Sequence, residues 1–440
     1  MAAVVDAFIG KPQAAQETQV PEKKTPHEFW SEYLCSIIEP LLQASGSYTR
    51  EQQAQHLQFL VDHVAPTLGP LPSEPRATYT QTYVDSPFEP SLNLTSSNKV
   101  KVRYGLEVVK PPGGADGPDP FGEKRAREVL LQFAKVSGAD TKWLTSAMDQ
   151  FFLTPEETED MRHKLPTFMP SSLLAFDLDA TKTMMKVYII AMRKAIASGS
   201  PSSNLFTLDA LRRLEPWGEK LGPGLDVIAD YLTNVKYNVM VIFVGIDCVD
   251  PTVNDGARIK VYMHTSSNSF AVASDVMTLG GRLTDETSLK RVEILRTLWP
   301  LLRNEKPGQG PDPSDREAWD VWEKPERITG TPLSGLQYNV ELNPSKPGLE
   351  MKSYVPLFQH NATAQESEAS MEKILTKLNH EWGIYGKYSM AVKAAYGKDR
   401  VSPTFVSFSY SKSKGPYMSS YVPGVLDVGA EMKSGNWKYS

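Results

Sequence analysis

One pattern restricts the architecture of this chain more than any other. The pair Lys-x-Tyr occurs in three separate segments, as Lys186/Tyr188, Lys260/Tyr262 and Lys352/Tyr354, each inside an alternating apolar and polar run. Successive side chains of a strand point to opposite faces, so residues two apart share a face. Around Ile259, Val261 and Met263 the opposite face carries Arg258, Lys260, Tyr262 and His264. Val100, Val102, Tyr104, Leu106 and Val108 likewise share one face and leave Lys101, Arg103 and Glu107 on the other. Between these strands, apolar residues recur at three- and four-residue spacing over 26–45, 50–64, 124–136, 140–152, 208–214, 225–234, 285–302 and 367–382, which predicts helices. Strands with one apolar and one charged, aromatic face, alternating with helices, describe an α/β closed barrel with helices outside and a polar lumen. Arginine and lysine interleaved with tyrosine are costly to bury unless a ligand brings negative charge.

The Pro- and Gly-rich stretches 111–120 and 307–313 read as loops within one domain spanning 26–440. Residues 1–25, rich in Ala, Gln, Lys and Pro without sustained periodicity, read as a flexible leader. The 47 basic and 52 acidic residues are mixed along the chain, with no basic stripe of the kind nucleic acid requires. Cys35 and Cys248 stand alone and far apart, which excludes a disulfide framework and suits a reducing compartment. The start has no basic and apolar signal pattern, and the longest apolar run, 239–245, is strand-length. These features predict a cytoplasmic protein, a monomer or homodimer, with neither nucleic acid nor membrane among its partners.

Arg103, Lys186, Arg258, Lys260 and Lys352 together supply enough charge and donors to hold a diphosphate without a divalent cation. Tyrosines two residues further on would stand just beyond that anion, where their faces stabilise a carbocation by roughly 0.5 to 2 kcal/mol each and shield it from water. A single Lys-x-Tyr is ordinarily a solvated strand face. Three of them, two beside further basic residues, set the functional reading level with the ordinary one.

The resemblance of longer segments goes further. The run from Gln52 to Leu60 with Leu68-Gly69-Pro70, then Ser86-Pro87-Phe88-Glu89-Pro90-Ser91-Leu92-Asn93 and Val102-Arg103-Tyr104-Gly105-Leu106-Glu107, resembles the fungal dimethylallyltryptophan synthase family of aromatic prenyltransferases. So do Phe176-Asp177-Leu178, Lys186-Val187-Tyr188, Arg258-Ile259-Lys260-Val261-Tyr262, Thr278-Leu279-Gly280-Gly281-Arg282, Lys352-Ser353-Tyr354-Val355-Pro356 and Gly415-Pro416-Tyr417-Met418-Ser419-Ser420-Tyr421. The resemblance implies an antiparallel ten-stranded barrel of repeated αββα units with the reaction chamber inside. It implies metal-independent transfer from dimethylallyl diphosphate to a small aromatic acceptor, without a cofactor. Arg103, Lys186, Arg258, Lys260 and Lys352, helped by Tyr417, would bind the diphosphate; Lys352 stands where some members have glutamine. Tyr188, Tyr262, Tyr354 and Tyr421 would shield the cation. Glu89 would accept a hydrogen bond from the acceptor, an indole N–H in the indole-using members, and raise ring electron density during attack.

Two departures bear on the acceptor. Members that alkylate the benzo ring of tryptophan have a lysine shortly before Phe-Asp-Leu, where this chain has Ser171-Ser172-Leu173-Leu174. Gly245-Ile246-Asp247-Cys248 offers no cation for a substrate carboxylate, which argues against free tryptophan. A tryptophan-containing cyclic dipeptide or another indole alkaloid is expected, with a hydroxylated polycyclic polyketide as the alternative because Pro90 follows Glu89. Other chemistries fit less well. A magnesium-dependent transferase needs aspartate-rich motifs, and the nearest approach, Asp177 and Asp179, reads as structural. The histidines form no metal-binding motif, and no nucleophile elbow, P-loop or dinucleotide fingerprint is present. A non-catalytic barrel that sequesters a phosphorylated ligand is the remaining rival, against which Glu89 counts as a carboxylate in an otherwise cationic lumen.

Overall fold

A computed structural model describes residues 24–72, 79, 81–111, 113–180, 182–329, 331 and 333–426. The expected leader therefore lies, up to residue 23, outside the described residues, as does the end of the chain from 427.

The strands come in pairs, separated by helices. They are β1 (Phe88–Thr95), β2 (Val100–Glu107), β3 (Ser172–Leu178), β4 (Thr183–Ile189), β5 (Met240–Asp247), β6 (Ile259–Thr265), β7 (Leu336–Asn343), β8 (Lys346–Val355), β9 (Phe405–Ser411) and β10 (Gly415–Tyr421). Each pairs antiparallel with its neighbours in sequence, and β1 pairs with β10, so the ten strands close into a barrel. Closure removes both sheet edges. Tight hairpins join β1 to β2, where Asn98 takes a left-handed φ of 60°, and β9 to β10, where Gly415 takes 63°. A Cβ at Gly415 would lie 2.8 Å from Ser96 Oγ, so the two hairpins can sit side by side only with glycine there.

The apolar strand faces point outward. Val100, Val102 and Tyr104 are buried, and Tyr104 lies 5.4 Å from Phe176, which lies 5.4 Å from both Phe133 and Phe59 on the covering helices. The hydrophobic core is thus a layer between sheet and helices, and the polar faces are left to line the lumen. Thr25 starts the helix Pro26–Ser45 with a capping box to Glu28, and Thr49 does the same for Arg50–Phe59 through Gln52. The helix expected over 50–64 changes register at its end: a π turn over Leu60–Val64 and a 3-10 turn over Ala65–Thr67 follow, because Pro66 has no N–H to continue the ladder.

Two other expectations shift. The helix placed at 208–214 runs over Ser203–Arg212, starting where Ser202 accepts from the backbone N–H of Leu205. The one placed at 367–382 divides into Ala364–Lys377 and Glu381–Ile384, with Asn379 left-handed between them at φ 56°. Among the described residues no helix is long and apolar enough to cross a membrane.

Candidate active site

The barrel encloses a cavity of about 250 Å³. Its lining includes Glu89, Arg103, Lys186 and all four expected shielding tyrosines. Period-two alternation brings them inward from β2, β4, β6 and β8, as the sequence predicts, and Glu89 from β1 and Tyr421 from β10, which only the family resemblance singled out, join them.

The tyrosines form one continuous arc. Ring centroids of Tyr188 and Tyr262 are 5.6 Å apart, those of Tyr262 and Tyr354 5.8 Å, and those of Tyr354 and Tyr421 6.0 Å. Phe243 extends the arc, stacked 4.4 Å from Tyr262; it shares the inward face with Gly245 and Asp247, and as an uncharged residue it carried no signal among the sequence candidates. Gly245 sits between Tyr188 and Tyr262, and a Cβ there would press within 3.1 Å of both rings. The Asn339 side-chain amide donates to the Tyr354 hydroxyl at 2.9 Å and fixes that ring. Burial raises the hydroxyl pKa of all four tyrosines, so the arc is neutral and presents π faces.

Toward the hairpin end lies an ionic belt. Arg103 and Lys186 flank Asp177, at 3.1 and 2.6 Å. Lys260 and Arg258 both bind Asp247, at 2.5 and 2.8 Å. Arg258 reaches on to Glu341 at 2.8 Å, and Lys352 meets the same carboxylate at 3.3 Å. The strand register explains the arrangement: Arg103 pairs with Asp177, Lys186 with Asp247 and Lys260 with Glu341 across adjacent strands.

The expectation of an otherwise cationic lumen is therefore corrected. Three buried carboxylates are threaded between the five cations, since so many positive charges in low dielectric need counter-ions. Asp177, read from sequence as structural, is one of them, and two positive charges remain in excess. Burial works against the Asp177 carboxyl, but Arg103 and Lys186 hold it well below the usual range. Burial likewise pulls Lys186 down to about 8, with Asp177 limiting the fall.

Of the expected diphosphate ligands, Arg103 and Lys186 line the cavity, whereas Arg258, Lys260 and Lys352 stand behind them in the belt. Tyr417 is set further back. Its hydroxyl donates to Glu350, and the Lys352 ammonium lies 5.2 Å from its ring centre.

Glu89 differs from the belt carboxylates because, among the described residues, no cation stands beside it. It is 7% exposed, and burial pushes its carboxyl up to about 7, tempered by the nearby Thr404 and Gln81 side chains. Its Oε1 nevertheless makes no hydrogen bond of ordinary geometry among the described residues. The apolar wall beside it includes Leu173, Phe168, Met169 and Pro170, so a leucine lines the cavity just ahead of Phe-Asp-Leu. The 167–169 loop is tied down from outside by the Lys110 ammonium, which donates to the carbonyls of Thr167, Phe168 (2.6 Å) and Met169 (3.3 Å).

Comparison with known proteins gives a consistent result. The family model for tryptophan dimethylallyltransferase matches residues 26–389. The chain is 44% identical to the indole prenyltransferase tdiB of Emericella nidulans, over 94% of this chain and 99% of that protein. It is 35% identical to the indole diterpene prenyltransferase terF of Tolypocladium album, over 96% and 98%. Among solved structures, AnaPT from Neosartorya fischeri superposes with a TM-score of 0.73 at 24% identity, covering 94% of this chain and 100% of that one. NotF in complex with brevianamide F and DMSPP superposes with 0.73 at 21%, covering 94% and 98%.

Proposed function

This chain belongs to the tryptophan dimethylallyltransferase family and is a prenyltransferase, and we propose that it moves a dimethylallyl group from dimethylallyl diphosphate onto an indole-type acceptor in fungal secondary metabolism. Membership sets aside the ligand-sequestering barrel. The acceptor we favour is a tryptophan-containing cyclic dipeptide or an indole alkaloid, with residues 26–440 working as one domain.

The observation that carries the reading is the position of the tyrosine arc between a belt with excess positive charge and a carboxylate that has no cation of its own. In this reading Arg103 and Lys186 receive the diphosphate at the cavity wall, and Arg258, Lys260 and Lys352 reinforce them from the belt. The carbon–oxygen bond breaks and the diphosphate keeps the electron pair. The allylic cation left behind faces neutral tyrosine rings, each contributing roughly 0.5 to 2 kcal/mol. Glu89, ionised, accepts the hydrogen bond of the indole N–H, which strengthens as positive charge develops on the ring during attack. A new bond to the ring forms, and the ring then releases a proton. A leucine-lined wall ahead of Phe-Asp-Leu, with no free cation near Glu89 among the described residues, favours a neutral acceptor over free tryptophan.

The test is an EDTA-treated incubation of the full chain with dimethylallyl diphosphate and a panel of indoles, tryptophan cyclic dipeptides and hydroxylated polycyclic aromatics, read by mass spectrometry. An indole product heavier by one C5H8 unit is expected. Product from the polyketide-like compounds alone would overturn the acceptor class.

A further inference from the structure

The lumen repeats one device around the barrel. On β4, β6 and β8 a lysine is followed two residues later by a tyrosine that joins the arc. On β2 the device breaks: Arg103 is followed by Gly105. That slot holds a side chain from elsewhere. A Cβ at Gly105 would lie 2.5 Å from Gln81 Nε2, so the amide of Gln81 lies directly on the glycine. The register places Gly105 opposite Glu89, which brings the amide beside the isolated carboxylate. The stem of Gln81 is anchored by its own backbone N–H, which donates to Glu107 Oε2 at 2.8 Å. Both Gln81 and Glu89 line the cavity, and in both the Oε1 atom is buried without a partner among the described residues. Buried acceptors are seldom left unpaired in native proteins, and two of them side by side at a cavity wall call for a ligand that brings two donors.

We propose that Gln81 is the positioning and specificity residue of this site: its Nε2 orients the Glu89 carboxylate, and its Oε1 accepts a second N–H or O–H of the acceptor. The proposal rests on Glu89 having the role given above. The acceptor class it selects is a planar neutral aromatic with a second hydrogen-bond donor some distance from the ring N–H. An acceptor lacking that donor leaves Oε1 unpaired in the closed complex, and so is disfavoured. The proximity of the amide is also felt by Glu89, whose rise in pKa it moderates.

Two measurements on Gln81→Met test this. The first is a carboxyl-carbon NMR titration of glutamate-labelled protein without substrates, the Glu89 signal assigned from Glu89→Gln. The Glu89 midpoint is expected to move upward in Gln81→Met, and an unchanged midpoint overturns the positioning role whatever the acceptor is. The second compares kcat/KM for a tryptophan-containing cyclic dipeptide and its N-methylated form. Wild type is expected to prefer the N–H compound by about tenfold, the worth of one hydrogen bond, and Gln81→Met to lose that preference. A retained preference overturns the specificity role. Wild-type protein that alkylates neither compound contradicts the acceptor reading itself, while the NMR result still decides the relation between Gln81 and Glu89. Should Gln81→Met not fold, Gln81→Asn, which withdraws the amide by one methylene, is read in the same two ways.

Discussion

Glu89→Gln should make the protein more stable and far less active. The carboxyl is buried and, among the described residues, lacks a cationic neighbour, and burial raises its pKa from 4.5 to about 7. Between those values the native state holds a proton that the unfolded chain has released. Stability therefore falls as pH rises through that window, and the full penalty is present above about pH 7. A difference of roughly 2.5 units at about 1.36 kcal/mol each gives a penalty on the order of 3 kcal/mol. The amide introduced by Glu89→Gln escapes the penalty.

Urea unfolding of wild type and variant across pH 4 to 9 measures this. The variant should be more stable by about 3 kcal/mol at pH 8.5 and equal to wild type near pH 4. Turnover with an indole acceptor should fall by about 10² to 10³, the range seen when one charge-stabilising group is removed. Equal stability at pH 8.5, or a gain that does not depend on pH, would refute the claim that Glu89 is held as a strained, cation-free carboxylate. Near-normal turnover would refute its role.

Other outcomes follow from the same geometry. Because Glu89 must be ionised and the Lys186 ammonium is held down to about 8, kcat/KM for the donor should trace a narrow bell, rising through about pH 7 and falling above about 8. A flat profile from pH 6 to 9 would contradict both assignments. Asp177→Asn leaves Arg103 and Lys186 buried without their carboxylate and should cost about 3 to 5 kcal/mol in urea unfolding. A loss under 1 kcal/mol would show that the belt does not need its counter-ions. Tyr354→Phe keeps a ring in the arc and should retain most transfer, whereas Tyr354→Leu should shift product toward prenyl alcohol as water reaches the cation. Equal alcohol yields from the two variants would argue against a π shield.

The inward set on the even strands was legible because it depends on a local rule: residues two apart share a face, and Lys186/Tyr188, Lys260/Tyr262 and Lys352/Tyr354 state it three times. Their counter-ions were not. Asp247 and Glu341 acquire meaning only when β5 and β7 are set in register against β4 and β6, a long-range pairing that no local period reports. The Asp247 segment attracted notice only for lacking a cation, and Asp177 only as part of the Phe-Asp-Leu stretch and as a poor metal ligand. Phe243 follows the same alternation as Gly245 and Asp247, but an uncharged ring on a strand gives no local sign that it lines a lumen and not a core; the bulge lies beside it, at Ile242, which also lines the cavity. Gln81 stands in a polar stretch without periodicity, and what marks it is the missing side chain at Gly105, a residue more than twenty positions away. Helix starts with strong caps, such as Thr25 and Asp285, were placed within a residue, while the break at Asn379 needed the left-handed turn to be seen.

The central claim is that side chains of the barrel, without a metal ion, hold the diphosphate against the tyrosine arc. Calorimetric titration of the unreactive thiolodiphosphate analogue of the donor into EDTA-treated protein tests it most directly. The account predicts one site per chain, with affinity falling at least tenfold in Lys186→Ala. Binding that appears only after magnesium is added, or that is indifferent to Lys186, would contradict it.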